Sequence, residues 1–322
     1  MTSAISVACE PSPLLHKLRS TIEHALEGKP EAVELALIAL LGRGHALIED
    51  VPGVGKTTLA RALAKAVGGE LRRVQFTSDL LPSDVLGVSV FDQRTGDFVF
   101  RQGPVFANVL LADEINRASP RMQSALLEAM NEGQVSADGT TTPLPDPFFV
   151  IATQNPQDFA GTFPLPESQL DRFMVRIRIG YPPPQVELRL LLSNGGESDR
   201  ARSVQQVIDP AQLVTLQREV DRIELDTSLA AYLHGILNAT RHTPALSLGA
   251  SPRAGMNLAR AARARAWLHG RRYCIADDIH DLAVPVLAHR VRLAAQAEGY
   301  MPSREENEAA VRDLVARVPV PL

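Results

Sequence analysis

The sequence predicts an α/β protein, with a parallel sheet in the first part of the chain and a helical second part. Three observations carry this. The apolar run Ala46-Leu47-Ile48 leads through a glycine-containing loop into the helical stretch Leu59–Ala66, which is the strand, loop, helix order of a parallel unit. Val109-Leu110-Leu111-Ala112 is a short apolar run that ends in Asp113-Glu114, the form of a buried parallel strand whose C-terminal end faces a ligand. From about Ile208 onward the chain reads as helices only. The expected division is a core with N-terminal helices over 1–193, a linker over 194–207 and a helical domain over 208–322.

A chain of 322 residues is long enough for one large or two smaller domains, each with its own core. The formal net charge of −4 gives no global attraction to nucleic acid or to an anionic membrane. Cys9 and Cys274 are too few for a disulfide framework and lack metal-ligand spacing, so a reducing cytoplasm fits. The N-terminus lacks a basic stretch followed by an apolar core, and no apolar run approaches the length of a membrane helix. Export and membrane spanning are not expected.

Taken in order, residues 13–42 carry apolar positions at helical spacing, with Leu14, Leu18 and Ile22 on one face and Val33, Leu35, Leu37 and Leu40 later. Two helices are expected, broken at Gly28-Lys29-Pro30. That break is either an ordinary turn or a seat under the base of a bound nucleotide. The loop Asp50-Val51-Pro52-Gly53-Val54-Gly55-Lys56-Thr57-Thr58 follows the first strand. Gly53 and Gly55 let the backbone curl so that its N–H groups point inward, and the following helix adds its positive end, a geometry built for a di- or triphosphate. The phosphate-loop template is met at each specified position except the first, where Asp50 replaces glycine. In this reading Lys56 contacts the β- and γ-phosphates, and the Thr57 hydroxyl ligates Mg²⁺.

Leu71–Thr77 alternates as a second strand. Gly87–Asp92 and Asp97–Phe100 flank Gln93-Arg94-Thr95-Gly96, a hairpin where a simple βαβ unit expects helix. At Asp113-Glu114 the roles that fit are metal-shell ligand for Asp113 and polarisation of an attacking water by Glu114; two acids in a solvated loop are the alternative. Ser119-Pro120 starts a core helix that ends at Gly133. Gln134–Ser136 and Thr140–Leu144, around Ala137-Asp138-Gly139, form a second hairpin signal. The apolar strand Phe148–Thr153 then runs into Gln154-Asn155. An amide such as Asn155 at the open edge can orient the water and touch the γ-phosphate.

Met174–Ile179 alternates as a fifth strand. Just before it, Arg172 has no acid three or four residues away, and it is either a surface arginine beside Asp171 or committed elsewhere. Asn194–Asp199 is a loop by composition. Ser251-Pro252 caps a helix with Arg253 in its first turn, where the dipole disfavours a cation. Arg260, Arg263 and Arg265 then form a solvated face. Asp277-Asp278-Ile279 begins a further helix that Asp277 can cap.

Four of these stretches together resemble AAA+ ATPases, and within them the MoxR family: Glu49-Asp50-Val51-Pro52-Gly53-Val54-Gly55-Lys56-Thr57, Leu110–Ala118 around Asp113-Glu114-Ile115-Asn116-Arg117, Val150–Pro156 ending in Thr153-Gln154-Asn155-Pro156, and Leu165–Phe173 ending in Leu170-Asp171-Arg172-Phe173. In order and spacing they span most of residues 20–290. The resemblance implies an αβα ATPase core with a five-stranded parallel sheet and inserted hairpins, a helical lid, and assembly into a ring, usually a hexamer. It also implies that Arg172 is an arginine finger reaching a neighbouring subunit's γ-phosphate, that Asn155 is the first sensor and Arg253 the second, and that the hairpins lie near the ring pore.

The expected function is ATP hydrolysis at subunit interfaces, with ATP and Mg²⁺ as cofactors, driving chaperone-like remodelling, maturation or metal-cofactor loading of a client protein, often beside a von Willebrand factor A domain partner. Two other classes remain open at this point: a nucleic-acid-dependent ring ATPase, against which the acidic balance argues, and a nucleotide-gated scaffold with little turnover.

Overall fold

The computed structural model describes residues 12–137, 139–155, 161–192, 196–294 and 303–321. Cys9, Asp138, Pro156, the Asn194-Gly195 part of the expected loop and the C-terminal Leu322 lie outside the described residues. Contacts divide the chain into two units, Arg19–Val214, and Met1–Leu18 with Thr215–Leu322.

Helices α1 (Pro13–Ala25) and α2 (Pro30–Leu41) precede the sheet. The buried face of α1 runs through Leu15, Leu18 and Ile22 rather than through Leu14. Steps of three and four keep those side chains in line on a helix of 3.6 residues per turn, whereas two steps of four drift around it. Between the helices, Gly28 has φ +79°, and a Cβ there would lie 2.8 Å from the ring of Pro183. Only glycine suits that turn.

The first unit continues with β1 (Ala46–Glu49), α3 (Lys56–Ala66), β2 (Leu71–Gln75), α4 (Pro82–Leu86), β3 (Gly87–Asp92), β4 (Asp97–Gln102) and β5 (Val109–Asp113). After a 3-10 turn at Ile115–Arg117 come α5 (Pro120–Glu132), β6 (Gln134–Ala137), β7 (Thr140–Pro143), β8 (Phe149–Gln154), α6 (Glu167–Leu170), β9 (Val175–Ile177), α7 (Pro184–Leu192) and α8 (Gly196–Ser203). Five strands form one sheet in the order β2-β5-β8-β1-β9, with every pairing parallel. Leu47, Leu110, Ala112, Val150 and Ala152 share a core with Met122, Leu126, Leu127 and Met130 of α5, so the sheet buries one face under the helix that Ser119 caps through the Met122 N–H. Both expected hairpins are present as separate antiparallel ladders, β3 with β4 and β6 with β7.

Two local expectations give way. The fifth strand does not alternate in exposure: Arg176 is only 7% exposed and reaches Glu49 at 3.2 Å. An arginine is tolerated inside because a carboxylate of the adjacent strand meets it. The expected linker 194–207, whose first part 194–199 is loop-like by composition, contains α8. Tertiary contacts override composition here, since α8 packs on α3, Ala201 is fully buried and Arg200 pairs with Glu27 at 2.8 Å.

The chain continues with α9 (Pro210–Asp221), α10 (Thr227–His242), β10 (Leu246–Leu248), α11 (Pro252–Leu268), α12 (Ala276–Leu287), β11 (Arg292–Leu293) and α13 (Arg304–Ala316). The second unit is helical with one addition to the expected pattern, the short antiparallel pair β10 and β11. Ser247 donates to the carbonyls of Arg292 and Leu293 and fastens that pair. Ser251 caps α11 by accepting from the Ala254 N–H at 3.0 Å. At the start of α12 it is Asp278, not Asp277, whose carboxylate accepts the Ile275 N–H, at 2.9 Å; Asp278 stands three residues on, where a side chain can reach back.

Candidate nucleotide site

Parallel register brings the sequence motifs to one edge. Glu49 lies opposite Gln154, and Gln75 opposite Asp113, so β1, β2, β5 and β8 end level and their following loops open together. There they enclose a cavity of about 400 Å³ lined by Pro52, Gly53, Gly55, Lys56, Thr57, Thr58, Arg73, Gln75, Asp113, Glu114 and Asn155. Val54 belongs to the same loop and is buried beneath it.

The loop adopts the conformation its glycines permit. Gly53 has φ +83° and Gly55 +100°, the latter forming the left-handed cap of α3. Lys56 Nζ donates to the Asp50 carbonyl at 2.5 Å and toward that of Gln154 at 3.5 Å. Burial lowers the Lys56 pKa, opposed by the negative charges of Asp50, Asp113 and Glu114. A partly buried cation at the start of a helix, where the dipole disfavours it, is poised to take a phosphate.

Each acid at the end of β5 has defined partners. Asp113 Oδ1 accepts from the Thr153 hydroxyl at 2.6 Å, and that hydroxyl accepts in turn from the Glu114 N–H at 2.9 Å. Asp113 Oδ2 accepts from Arg73 Nη2 at 2.6 Å and Nε at 3.1 Å. Glu114 has φ +58°, in the left-handed region, and its carboxylate pairs with Arg117 at 2.8 Å. A non-glycine residue in that region persists only when its surroundings fix it, and Thr153 does so from the neighbouring strand.

Asp50 is more than a departure from a template. Its buried Oδ2 accepts from the N–H groups of Ile179 and Gly180, at 2.8 and 2.6 Å, and its Oδ1 from Val51 N–H at 2.9 Å. The phosphate loop is thereby tied to the segment after β9. That segment also carries the Gly28 turn, since Lys29 Nζ donates to the Tyr181 carbonyl and Gly28 abuts Pro183.

Nine of the expected residues thus line one cavity. Gly28, Lys29 and Arg172 are not among its lining residues. Arg172 is half-buried, with Nη1 on the Leu127 carbonyl of α5 at 2.5 Å. Arg253 belongs to the other unit, exposed in the first turn of α11. Sequence reasoning gave no role to Arg73 or Thr153. The signal for Thr153 was present, a hydroxyl closing an aliphatic run; Arg73, in an alternating edge strand, carried none.

The donor set suits a hard divalent ion. The Thr57 hydroxyl and the Asp113 carboxylate line the same cavity, and among the described residues no group of three or more His, Cys, Asp or Glu could hold a metal. Few protein oxygens, completed by phosphate and water, is the mode of magnesium.

Residues 45–175 match the ATPase family associated with various cellular activities (AAA), and residues 238–314 match the AAA lid domain. The chain is 49% identical over 312 residues to the uncharacterized protein YeaC of Bacillus subtilis, covering 96% of each. It is 40% identical over 285 residues to the chaperone MoxR1 of Mycobacterium tuberculosis, covering 86% of this chain and 75% of that one. Among solved structures, an ATPase candidate of Cytophaga hutchinsonii superposes with a TM-score of 0.82 at 34% identity, covering 96% of this chain and 97% of the other. With its strand order, its phosphate loop and these relatives in agreement, the chain belongs to the MoxR family of AAA+ ATPases.

Proposed function

We propose that this chain hydrolyses ATP at the interfaces of a homo-oligomeric ring, a hexamer, and uses the cycle for chaperone-like work on a client protein. The observation that carries the reading is the convergence of Lys56, Thr57, Asp113, Glu114 and Asn155 on one cavity. A magnesium ion held by Thr57 and Asp113 supplies charge neutralisation at the phosphates when bound. The Lys56 ammonium donates to the β- and γ-phosphates, relieving its own burial. Glu114 accepts a proton from the attacking water after leaving Arg117, and Asn155 orients that water.

Arg172 acts in trans in this reading. Its position outside the cavity lining, anchored on α5, supports a role other than binding this chain's own nucleotide. Arg253, at an unfavourable place in the first turn of α11, serves as the second sensor. Gly28 and Lys29 sit by the base, a role supported by the run of contacts from that turn through Tyr181 and Gly180 to Asp50. Maturation or metal-cofactor loading of clients, a von Willebrand factor A domain partner and a cytoplasmic location complete the proposal. Among the described residues no helix is long and apolar enough to cross a membrane.

Steady-state ATP hydrolysis tests this, measured against protein concentration for the native chain, Glu114→Gln, Arg172→Ala and a mixture of the two variants. Native turnover that rises with assembly is expected. Each variant falls by roughly 10³-fold or more, and the mixture regains activity because some interfaces pair an intact Glu114 with an intact Arg172. An Arg172→Ala chain as active as the native one overturns the assignment in trans. Nucleotide binding without turnover at any concentration overturns the motor.

A further inference from the structure

We propose that Arg73 is a built-in counter-ion of the metal-ligand carboxylate: it pairs with Asp113 Oδ2 and is displaced when the magnesium nucleotide enters. The inference rests on the reading of the cavity as a magnesium-nucleotide site and adds a residue that this reading does not require.

The geometry points to competition for one oxygen. Asp113 Oδ1 faces inward to Thr153, which has no exposed surface, and is committed to that hydroxyl at 2.6 Å. Asp113 lines the cavity, and on its other oxygen, Oδ2, Arg73 places two donors, Nη2 at 2.6 Å and Nε at 3.1 Å. A guanidinium so placed repels a divalent cation approaching the same oxygen. The arginine is able to leave. Its side chain is 52% exposed against 15% for Asp113, and an ion pair with one arm in solvent is weak. It also has somewhere to go, because Nη2 already touches Gln75 Oε1 at 3.3 Å, a neutral acceptor on the same strand and the same cavity wall.

The consequence is a threshold for metal. With Arg73 in place, Asp113 is neutralised and held in a fixed rotamer, and the ion must outcompete the guanidinium. Nucleotide without metal gains nothing from displacing it.

The experiment is equilibrium binding of a fluorescent ATP analogue to the full chain at fixed nucleotide, with Mg²⁺ titrated from an EDTA baseline. Native protein is compared with Arg73→Gln and Arg73→Lys. The expected result is that half-saturating Mg²⁺ falls roughly two- to fivefold in Arg73→Gln, the fold-change corresponding to a partly exposed ion pair, and falls less in Arg73→Lys, which keeps the charge but has one point of contact. Binding in EDTA stays as in the native chain. Half-saturating Mg²⁺ that is unchanged or raised, or EDTA binding that is lost in Arg73→Gln, overturns the proposal; the second of these marks Arg73 as a direct phosphate ligand. Thermal unfolding in the absence of nucleotide checks that each variant folds, and should Arg73→Gln not fold, the direction of the shift in Arg73→Lys decides. Failure of the native chain to bind the analogue overturns the nucleotide site itself, an outcome distinct from binding without a shift.

Discussion

Asp113 and Asp278 are both shielded aspartates paired with an arginine, and they differ in what remains open. Asp278 is 1% exposed and takes Arg271 with both oxygens, at 2.6 and 2.7 Å, while one of those oxygens also accepts the Ile275 N–H. The Arg271 pKa is raised chiefly by that hydrogen bonding, against burial. Asp113 meets Arg73 with one oxygen only. A closed pair through both oxygens fixes a helix start; a pair through one oxygen, on a residue that lines a cavity, is one that a stronger cation displaces in our proposal. The same two residue types therefore make a structural fastening in one unit and, as we propose, an exchangeable pair in the other.

The largest effect that could break this contrast concerns stability. Asp278→Ala leaves Arg271, whose side chain is 19% exposed, without its two-oxygen partner and removes a helix cap, for an expected loss of about 2–4 kcal/mol. Asp113→Asn keeps the shape and the contact with Thr153, and its pairing with a half-exposed arginine is worth at most about 1 kcal/mol. Urea denaturation of both variants without nucleotide measures the two losses. Equal destabilisation would erase the distinction between the two pairs.

A change in binding is expected at Lys56. In the proposed site Lys56→Met removes a charged donor from the phosphates, a loss of about 2–5 kcal/mol of binding, read as a fall in nucleotide affinity of at least roughly thirtyfold. Stability in the absence of nucleotide is expected to stay level or rise, because burial depresses the Lys56 pKa. The unfolded chain then holds that proton more tightly than the folded one, so the charged form opposes folding at pH values below the usual lysine range. A Lys56→Met protein that melts earlier than the native one without nucleotide would show that the ammonium supports the empty loop.

These sites divide by how local their causes are. Gly53, Gly55 and Lys56 were legible because a left-handed turn and a helix start are set within a few residues, and Asp113-Glu114 because an aliphatic run on a central strand states its own burial. Both hairpins and the Ser251 cap were legible for the same reason. Arg73 was not, because its partner lies 40 residues on, across a strand pairing. The sequence shows Asp50 only as a departure from the template, because the N–H groups its carboxylate accepts from lie 129 and 130 residues away. Composition reads 194–199 as a loop, yet α8 begins at Gly196, because its packing on α3 is not written in its own residues. The buried Arg176 defeated the alternation rule in the same way, through Glu49.

Cys274 offers the finest probe of the closed pair, and the effect expected there is the smallest. Burial pushes its thiol pKa up to about 12; the charge of Asp278 adds to the rise, and Arg263 and Arg271 oppose it. In the unfolded chain a thiol ionises near 8.5. Between those values the unfolded state loses a proton that the folded state keeps, so stability falls as pH rises from about 8.5 toward 12, and the contribution is intact below 8.5. At pH 9.5 this amounts to about 1 kcal/mol. Cys274→Ala lacks the titration, so the stability of the native chain relative to this variant, from urea midpoints at pH 7.5 and 9.5, should narrow by that amount. A constant difference would mean that the thiol ionises as readily inside as outside, and hence that the arginines beside it are not balanced by Asp278. The narrowing would show the reverse: a pair so fully satisfied in itself that a thiol beside it responds to the loss of water more than to either charge.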